Sequence, residues 1–250
     1  MPAISIDGAS ITYRIRHSRR ARHGRIQVGP DGVEVVVPTG VSEDRVKQLV
    51  YSRRRWIRAR HAEFEQRWEH ARRFCHRPLQ SGAKLLYAGE PVTLHVEPDA
   101  AHRRRTDRVR LKEQSLYVRV DSDGSDSLDK RVAQAVESWM RSRLRQRVEP
   151  MVHDYAQSIR VAPAGLRIKT QRRRWGSCGS TGLINLNWRL AMAPDDVVAY
   201  VVVHELCHLV HRNHSRAFWC LVADHCPAYR SYKQWLAEHD LILTESVQPS

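Results

Sequence analysis

A chain of 250 residues suits one large domain or two small ones, with ample material for a real core. No run approaches 18 apolar residues, which excludes a membrane-spanning helix. The five cysteines (Cys75, Cys178, Cys207, Cys220, Cys226) hold no C-x-x-C pair, so a disulfide framework is excluded and a reducing, cytoplasmic setting expected.

The formal net charge is +15, and it is uneven: residues 1–150 carry 31 Lys and Arg against 19 Asp and Glu, and the remainder 11 against 8. A field of that sign attracts acidic partners, whether nucleotide, nucleic acid or anionic lipid, without selecting among them. The opening residues, Met1 to Asp7, lack the apolar core of a secretion signal.

In chain order, Ile11, Tyr13 and Ile15 alternate with polar residues, as do Val33, Val35 and Val37, and both runs predict half-buried strands. Gly29-Pro30-Asp31-Gly32 predicts the turn that joins the second of these to a strand at Ile26 and Val28. The segment from Arg14 to Arg25, with six arginines and two histidines, reads equally as a solvated hairpin end or as a phosphate-contacting one. Ser42, Glu43 and Asp44 open a helix that is expected to run to about Arg73, with Arg53, Arg54, Arg55 and Arg58 on its outer face. A loop at His76 to Ala83 is a candidate boundary. Two strand pairs follow, Leu85–Tyr87 with Val92–Val96 and Val109/Leu111 with Leu116–Val120, separated by Arg103-Arg104-Arg105. Asp121 to Ser127 is a connector.

Beyond it, Val132, Val136, Met140, Leu144, Val148 and Val152 recur every four residues and predict one helix with a single apolar stripe, kinked or split at Pro150. Leu166–Lys169 and Leu183–Asn187 read as a strand and its returning partner, with Arg172-Arg173-Arg174-Trp175-Gly176-Ser177-Cys178 between them. No internal repeat is evident. The aromatic residues Phe218, Trp219, Tyr229, Tyr232 and Trp235 recur at helical spacing, as core packing requires.

The last hundred residues also hold His204-Glu205-Leu206-Cys207-His208 and, six residues on, His214. On a helix, His204 and His208 point about 40° apart, so two imidazoles on one face can share one Zn²⁺ ion. Glu205 lies about 80° to one side and is long enough to reach a water on that ion, where a general base belongs. Cys207 is too short and reads as a buried thiol. A chain of this composition meets the full spacing by chance roughly twice in a thousand, so a metal site outweighs a histidine-bearing surface helix. His225 and Glu238 are the next candidates for a third ligand. The chain is expected to leave the helix before His214, with Asn213 the residue best able to take a left-handed turn.

Arg173-Arg174-Trp175-Gly176-Ser177-Cys178, Gly182-Leu183-Ile184-Asn185-Leu186-Asn187, His204–Leu209 and Asn213-His214-Ser215 with Phe218-Trp219 together resemble the YgjP-like metallopeptidase family, a relative of the SprT-like zincins. The resemblance implies a zinc ion on His204, His208 and His214, Glu205 as catalytic acid/base, and a zincin-type domain whose small antiparallel sheet borders the cleft. It also carries the association of some members with nucleotide pyrophosphate hydrolysis.

Three functions follow in order of preference. The first is a zinc-dependent peptidase acting on peptide or unfolded protein. Its oxyanion or substrate contacts would come from among Arg174, Asn187, Tyr200 and His211, and the Leu183–Asn187 strand would pair with an extended substrate. The second is a metal-dependent nucleoside triphosphate pyrophosphatase, with Arg172, Arg173 and Arg174 on the phosphates; the competing reading of those arginines pairs them with Asp195 and Asp196. The third is a basic nucleic-acid-associated protein. The fold class is α+β: N-terminal strands plus a helix (1–75), a β-strand region (76–125) and a zincin-like catalytic domain (126–250).

Overall fold

A computed structural model describes residues 2–6, 9–29, 32–75, 78–99, 108–121, 127–171 and 173–248. Arg172, the Arg103–Arg105 run, Pro30, Asp31, His76 and the connector at 122–126 lie outside the described residues. The chain is mixed α and β and forms two compact units, Met1–His70 and Ala71–Ser250.

The first unit holds β1 (Ala3–Ile6), β2 (Ala9–Ser18), β3 (Arg25–Gly29) and β4 (Gly32–Pro38), in the order β1-β2-β4-β3. The three predicted strands are present, and β1 adds a fourth on the outer edge of β2. β2 runs parallel to β4, with Tyr13 opposite Val33 and Ile15 opposite Val35. The Arg14–Arg25 segment therefore does not end a hairpin: it carries the chain past β4 to the far edge. The apolar side chains of β2 and β4 pack with Val46, Val50 and Ile57 of the following helices. The single helix expected here is two, α1 (Glu43–Ser52) and α2 (Arg54–Ala71). Between them the Arg54 guanidinium folds back over the Tyr51 ring and bonds the Tyr51 carbonyl at 3.0 Å, taking an acceptor that the next helical turn would use.

The second unit opens with β5 (Lys84–Tyr87), β6 (Glu90–Asp99), β7 (Arg108–Lys112) and β8 (Ser115–Asp121), in the order β5-β6-β8-β7. This is the topology of the first sheet over again, two antiparallel pairs joined by one parallel pairing. The registers correspond pair by pair. Ile4 faces Ile11 as Leu85 faces Val92; Tyr13 faces Val33 as Leu94 faces Leu116; Val28 faces Val33 as Leu111 faces Leu116. Buried Val46 and Val50 after the first sheet answer to buried Val132 and Val136 after the second. The chain thus contains a tandem repeat that its residue identities conceal, contrary to the expectation of none.

After the second sheet comes α3 (Leu128–Ile159), whose predicted stripe from Val132 to Val152 is buried throughout. Pro150 does not split it. Val148 and Val152 are held in the core on either side, and that packing outweighs the ~3 kcal/mol a helical proline costs. A second sheet in this unit has the order β10-β11-β9, from β9 (Gly165–Lys169), β10 (Gly176–Cys178) and β11 (Leu183–Asn187). It is not the antiparallel sheet expected. β11 returns antiparallel to β10, with Ser177 opposite Asn185, and that hairpin leaves β11 parallel to β9. A buried 3-10 turn, Trp188–Met192, leads to α4 (Asp195–Cys207), followed by α5 (Arg216–His225) and α6 (Tyr229–Glu245).

Arg147 of α3 ties the start of α4 in place, bonding the carbonyls of Ala191 and Ala193 at 2.9 and 2.8 Å and the Asp195 carboxylate at 2.7 Å. From the other side, the β5–β6 turn lays the Ala88 and Gly89 N–H groups on the carbonyls of Ala191 and Met192. Gly89 has φ +86, and a Cβ there would meet Pro194 at 2.6 Å, so both the turn and the close approach require glycine.

Candidate metal centre

α4 is apolar almost all round, which is the pattern of a helix buried on every side. Val197, Val198, Val201, Val202, Val203 and Leu206 are all buried, and His204 and His208 stand at the one part-open face. Directly after Cys207 the chain turns out of the helix, with the Val210 and His211 N–H groups on the Cys207 carbonyl at 3.1 and 2.9 Å. No left-handed residue is used, Asn213 included. Ser215 then caps α5 by accepting from the Phe218 N–H, which fixes where His214 begins its approach.

The three imidazoles converge. One ligating nitrogen from each of His204, His208 and His214 lies within 4.8 Å of the others, and Nε2 of His204 and Nε2 of His214 are 3.2 Å apart. Buried Phe218 is the floor of the cluster, its ring centre 4.6–5.0 Å from all three. His208 presents Nδ1 to the His211 carbonyl at 3.0 Å, which keeps its proton on Nδ1 and leaves Nε2 bare for a cation. Nδ1 of His204 is buried without a partner. Burial, the neighbouring His208 and His214 and the Lys233 ammonium push His204 down to about 3, and burial likewise lowers His208. Neutral, convergent imidazoles are the donor set of a zinc site, so the residues fit the ion.

Glu205 is 5% exposed and faces β10. Burial raises its carboxyl to about 7, while the Cys178 backbone N–H and the Arg174 charge act to lower it. A buried carboxyl that titrates near neutrality beside three imidazoles can both take and return a proton at working pH.

A model of the "YgjP-like, metallopeptidase domain" family matches residues 22–239. The chain belongs to the YgjP-like family. No curated protein matches it. Among solved structures it is similar to two metallopeptidase zymogens. Pyrococcus abyssi abylysin is 19% identical, covering 37% of this chain and 95% of that one at a TM-score of 0.35. Methanocaldococcus jannaschii jannalysin is 16% identical, covering 37% and 88% at a TM-score of 0.34.

The other residues singled out in this YgjP-like chain fall into three groups. Tyr200 and Arg174 lie beside the cluster. The buried Tyr200 ring meets His204 edge-on at 5.9 Å, and burial pushes its phenol up to about 12. Arg174 is exposed and its charge reaches Glu205. Asn187 and His211 serve as braces. The Asn187 side-chain N–H groups donate to the carbonyls of Gln171 and Arg174 at 2.8 and 3.0 Å, and its oxygen accepts from the Arg189 N–H. His211 acts through its backbone carbonyl. The third group lies apart from the cluster: His225 bonds Ser158 at 3.0 Å and Glu238 accepts from Gln234.

Two expectations are corrected. Asp195 pairs with Arg147 and Asp196 bonds Tyr232, so neither is the partner of Arg173 or Arg174; Arg172 lies outside the described residues. β11 is flanked on both edges and has no free edge for a substrate, which leaves β10 as the edge strand on the Glu205 side.

Sequence reading missed Phe218 as the floor of the cluster, Gly176 as the neighbour of Glu205, and Trp219, which stacks on His214 at 5.6 Å. The four- and five-residue offsets of Phe218 and Trp219 from His214 were the available signal.

Proposed function

We propose that this chain is a zinc-dependent peptidase in which His204, His208 and His214 hold the ion and Glu205 moves the proton. One observation carries the reading: three imidazole nitrogens converge within 4.8 Å, and the residue next to His204 on the same helix is the buried carboxyl of Glu205. When bound, zinc supplies Lewis-acid polarisation of a water and of the carbonyl under attack. The chain's own residues do the rest. The His211 carbonyl orients His208, and Phe218 shuts bulk water out from beneath the imidazoles. The Glu205 carboxylate, aimed by the Cys178 N–H, takes a proton from the attacking water and hands it to the departing amine. An extended peptide adds to the edge of β10. No helix among the described residues is long and apolar enough to cross a membrane.

Elemental analysis of the purified protein tests the ligand set. About one zinc per chain is expected, lost in His204→Ala, His208→Ala and His214→Ala. Full occupancy in all three variants would remove the site. Loss in the first two with retention in His214→Ala would call for another third ligand.

A further inference from the structure

Outside the imidazoles and Glu205, one wall of this centre has a composition that the chemistry above leaves unused. Trp219 of α5 lies 5.7 Å from His204 and 5.6 Å from His214, ring centre to ring centre. Tyr229, at the start of α6, stacks on Trp219 at 5.2 Å, and one turn further along α6 the Lys233 ammonium sits 5.2 Å from the centre of the same indole. Lys233 is exposed and forms no ion pair among the described residues. An indole face locates an ammonium by cation–π attraction without neutralising it, so the charge stays available to a ligand. Trp219 is already engaged by His214 and Tyr229 and is only part-exposed, so this wall offers a fixed cation rather than an open ring on which a base would stack.

Distance sets what that cation can meet. Lys233 lies no further from the His204 ring than the two separations through Trp219 laid end to end, about 11 Å, the length of roughly three extended residues. A peptide held at the metal centre therefore brings a side chain within three positions of its scissile bond up to this wall. Arg212, by contrast, is already occupied, bonding the carbonyls of Gly179 and Ser180 at 2.9 and 3.3 Å.

We infer that Lys233, held on Trp219, is a specificity-determining residue that selects peptides carrying an Asp or Glu within three residues of the cleaved bond. The inference rests on the peptidase reading and names the substrate class for it. An exposed charge pair of this kind discriminates by up to about fivefold; Lys233 touches neither the ligands nor Glu205 and acts on His204 only through space, so each variant is assayed saturated with zinc.

The test is a set of quenched fluorescent peptides in which Glu, Gln or Lys is scanned through three positions on each side of the bond. Zinc-loaded wild type is compared with Lys233→Met, Lys233→Arg and Lys233→Glu, with zinc content measured for each. Wild type should cleave the Glu peptide about two- to fivefold faster in kcat/KM than its Gln counterpart at one position. Lys233→Met should lose that preference, Lys233→Arg keep it and Lys233→Glu turn it toward Lys, each compared at full zinc loading. Cleavage with no charge preference, or with the same preference in Lys233→Met, would overturn the inference and leave the peptidase reading standing. Cleavage of none of the peptides by wild type would end both.

Discussion

A methyl group on Gly176 would lie 2.6 Å from Oε1 of Glu205 and 2.7 Å from its Cγ. Glu205 and the glycine are 29 residues apart in sequence, yet the carboxyl occupies the space that any other side chain at 176 would need. Together with the Cys178 N–H two residues along the same strand, this contact aims Glu205. Gly176→Ala should retain zinc and lose turnover, by up to the ~10²–10⁴-fold that a positioned acid–base group contributes, with the loss in kcat rather than KM. Wild-type turnover in that variant would show that Glu205 is not held where the reaction needs it.

The raised Glu205 carboxyl makes a prediction about the metal-free protein. Its folded value of about 7 lies above the ordinary 4.5, so the folded state binds the proton more tightly than the unfolded state does. That contribution to stability is complete below about 4.5 and lost as pH rises through about 7. Glu205→Gln lacks it, while depressed His204, which works in the opposite direction, is common to both proteins. Denaturant unfolding of the zinc-free pair at pH 5 and pH 8 should show wild type losing on the order of 2 kcal/mol relative to the variant. A difference independent of pH would contradict the burial of this carboxyl.

Asn187 and His211 separate bracing from catalysis. Asn187→Ala removes the partner of the part-buried carbonyls of Gln171 and Arg174, and at ~0.5–1.5 kcal/mol for each lost bond it should lower the unfolding midpoint. If Asn187 instead donated to the substrate, turnover would collapse at unchanged stability. His211→Ala keeps the carbonyl that orients His208, so zinc content should match wild type. Zinc loss there would mean that the imidazole, not the backbone, does the holding.

Much of this was legible in the residues. The spacing of His204, His208 and His214 located the cluster, the four-residue stripe from Val132 to Val152 located α3, and alternating Val and Ile located the strands. What stayed hidden depends on contacts distant in sequence. Ile11-Thr12-Tyr13 and Val92-Thr93-Leu94 share apolar parity but little identity, so the tandem sheets emerge only from their registers. Alternation says which face of a strand is buried, not which neighbour it takes, and so the parallel pairings β2–β4 and β9–β11 were unreadable. Asn187 looked like a free donor because nothing local reveals the loop carbonyls that occupy it.

The imidazole cluster and Glu205 are proposed to work as one peptide-cleaving centre. The most direct measurement is turnover of an unfolded protein and of a nucleoside triphosphate, side by side, by zinc-loaded wild type and Glu205→Gln. Cleavage of the protein by wild type, reduced ~10²–10⁴-fold in Glu205→Gln at equal zinc content, is the predicted result. Hydrolysis of the nucleotide alone, or equal protein cleavage by both, would contradict it.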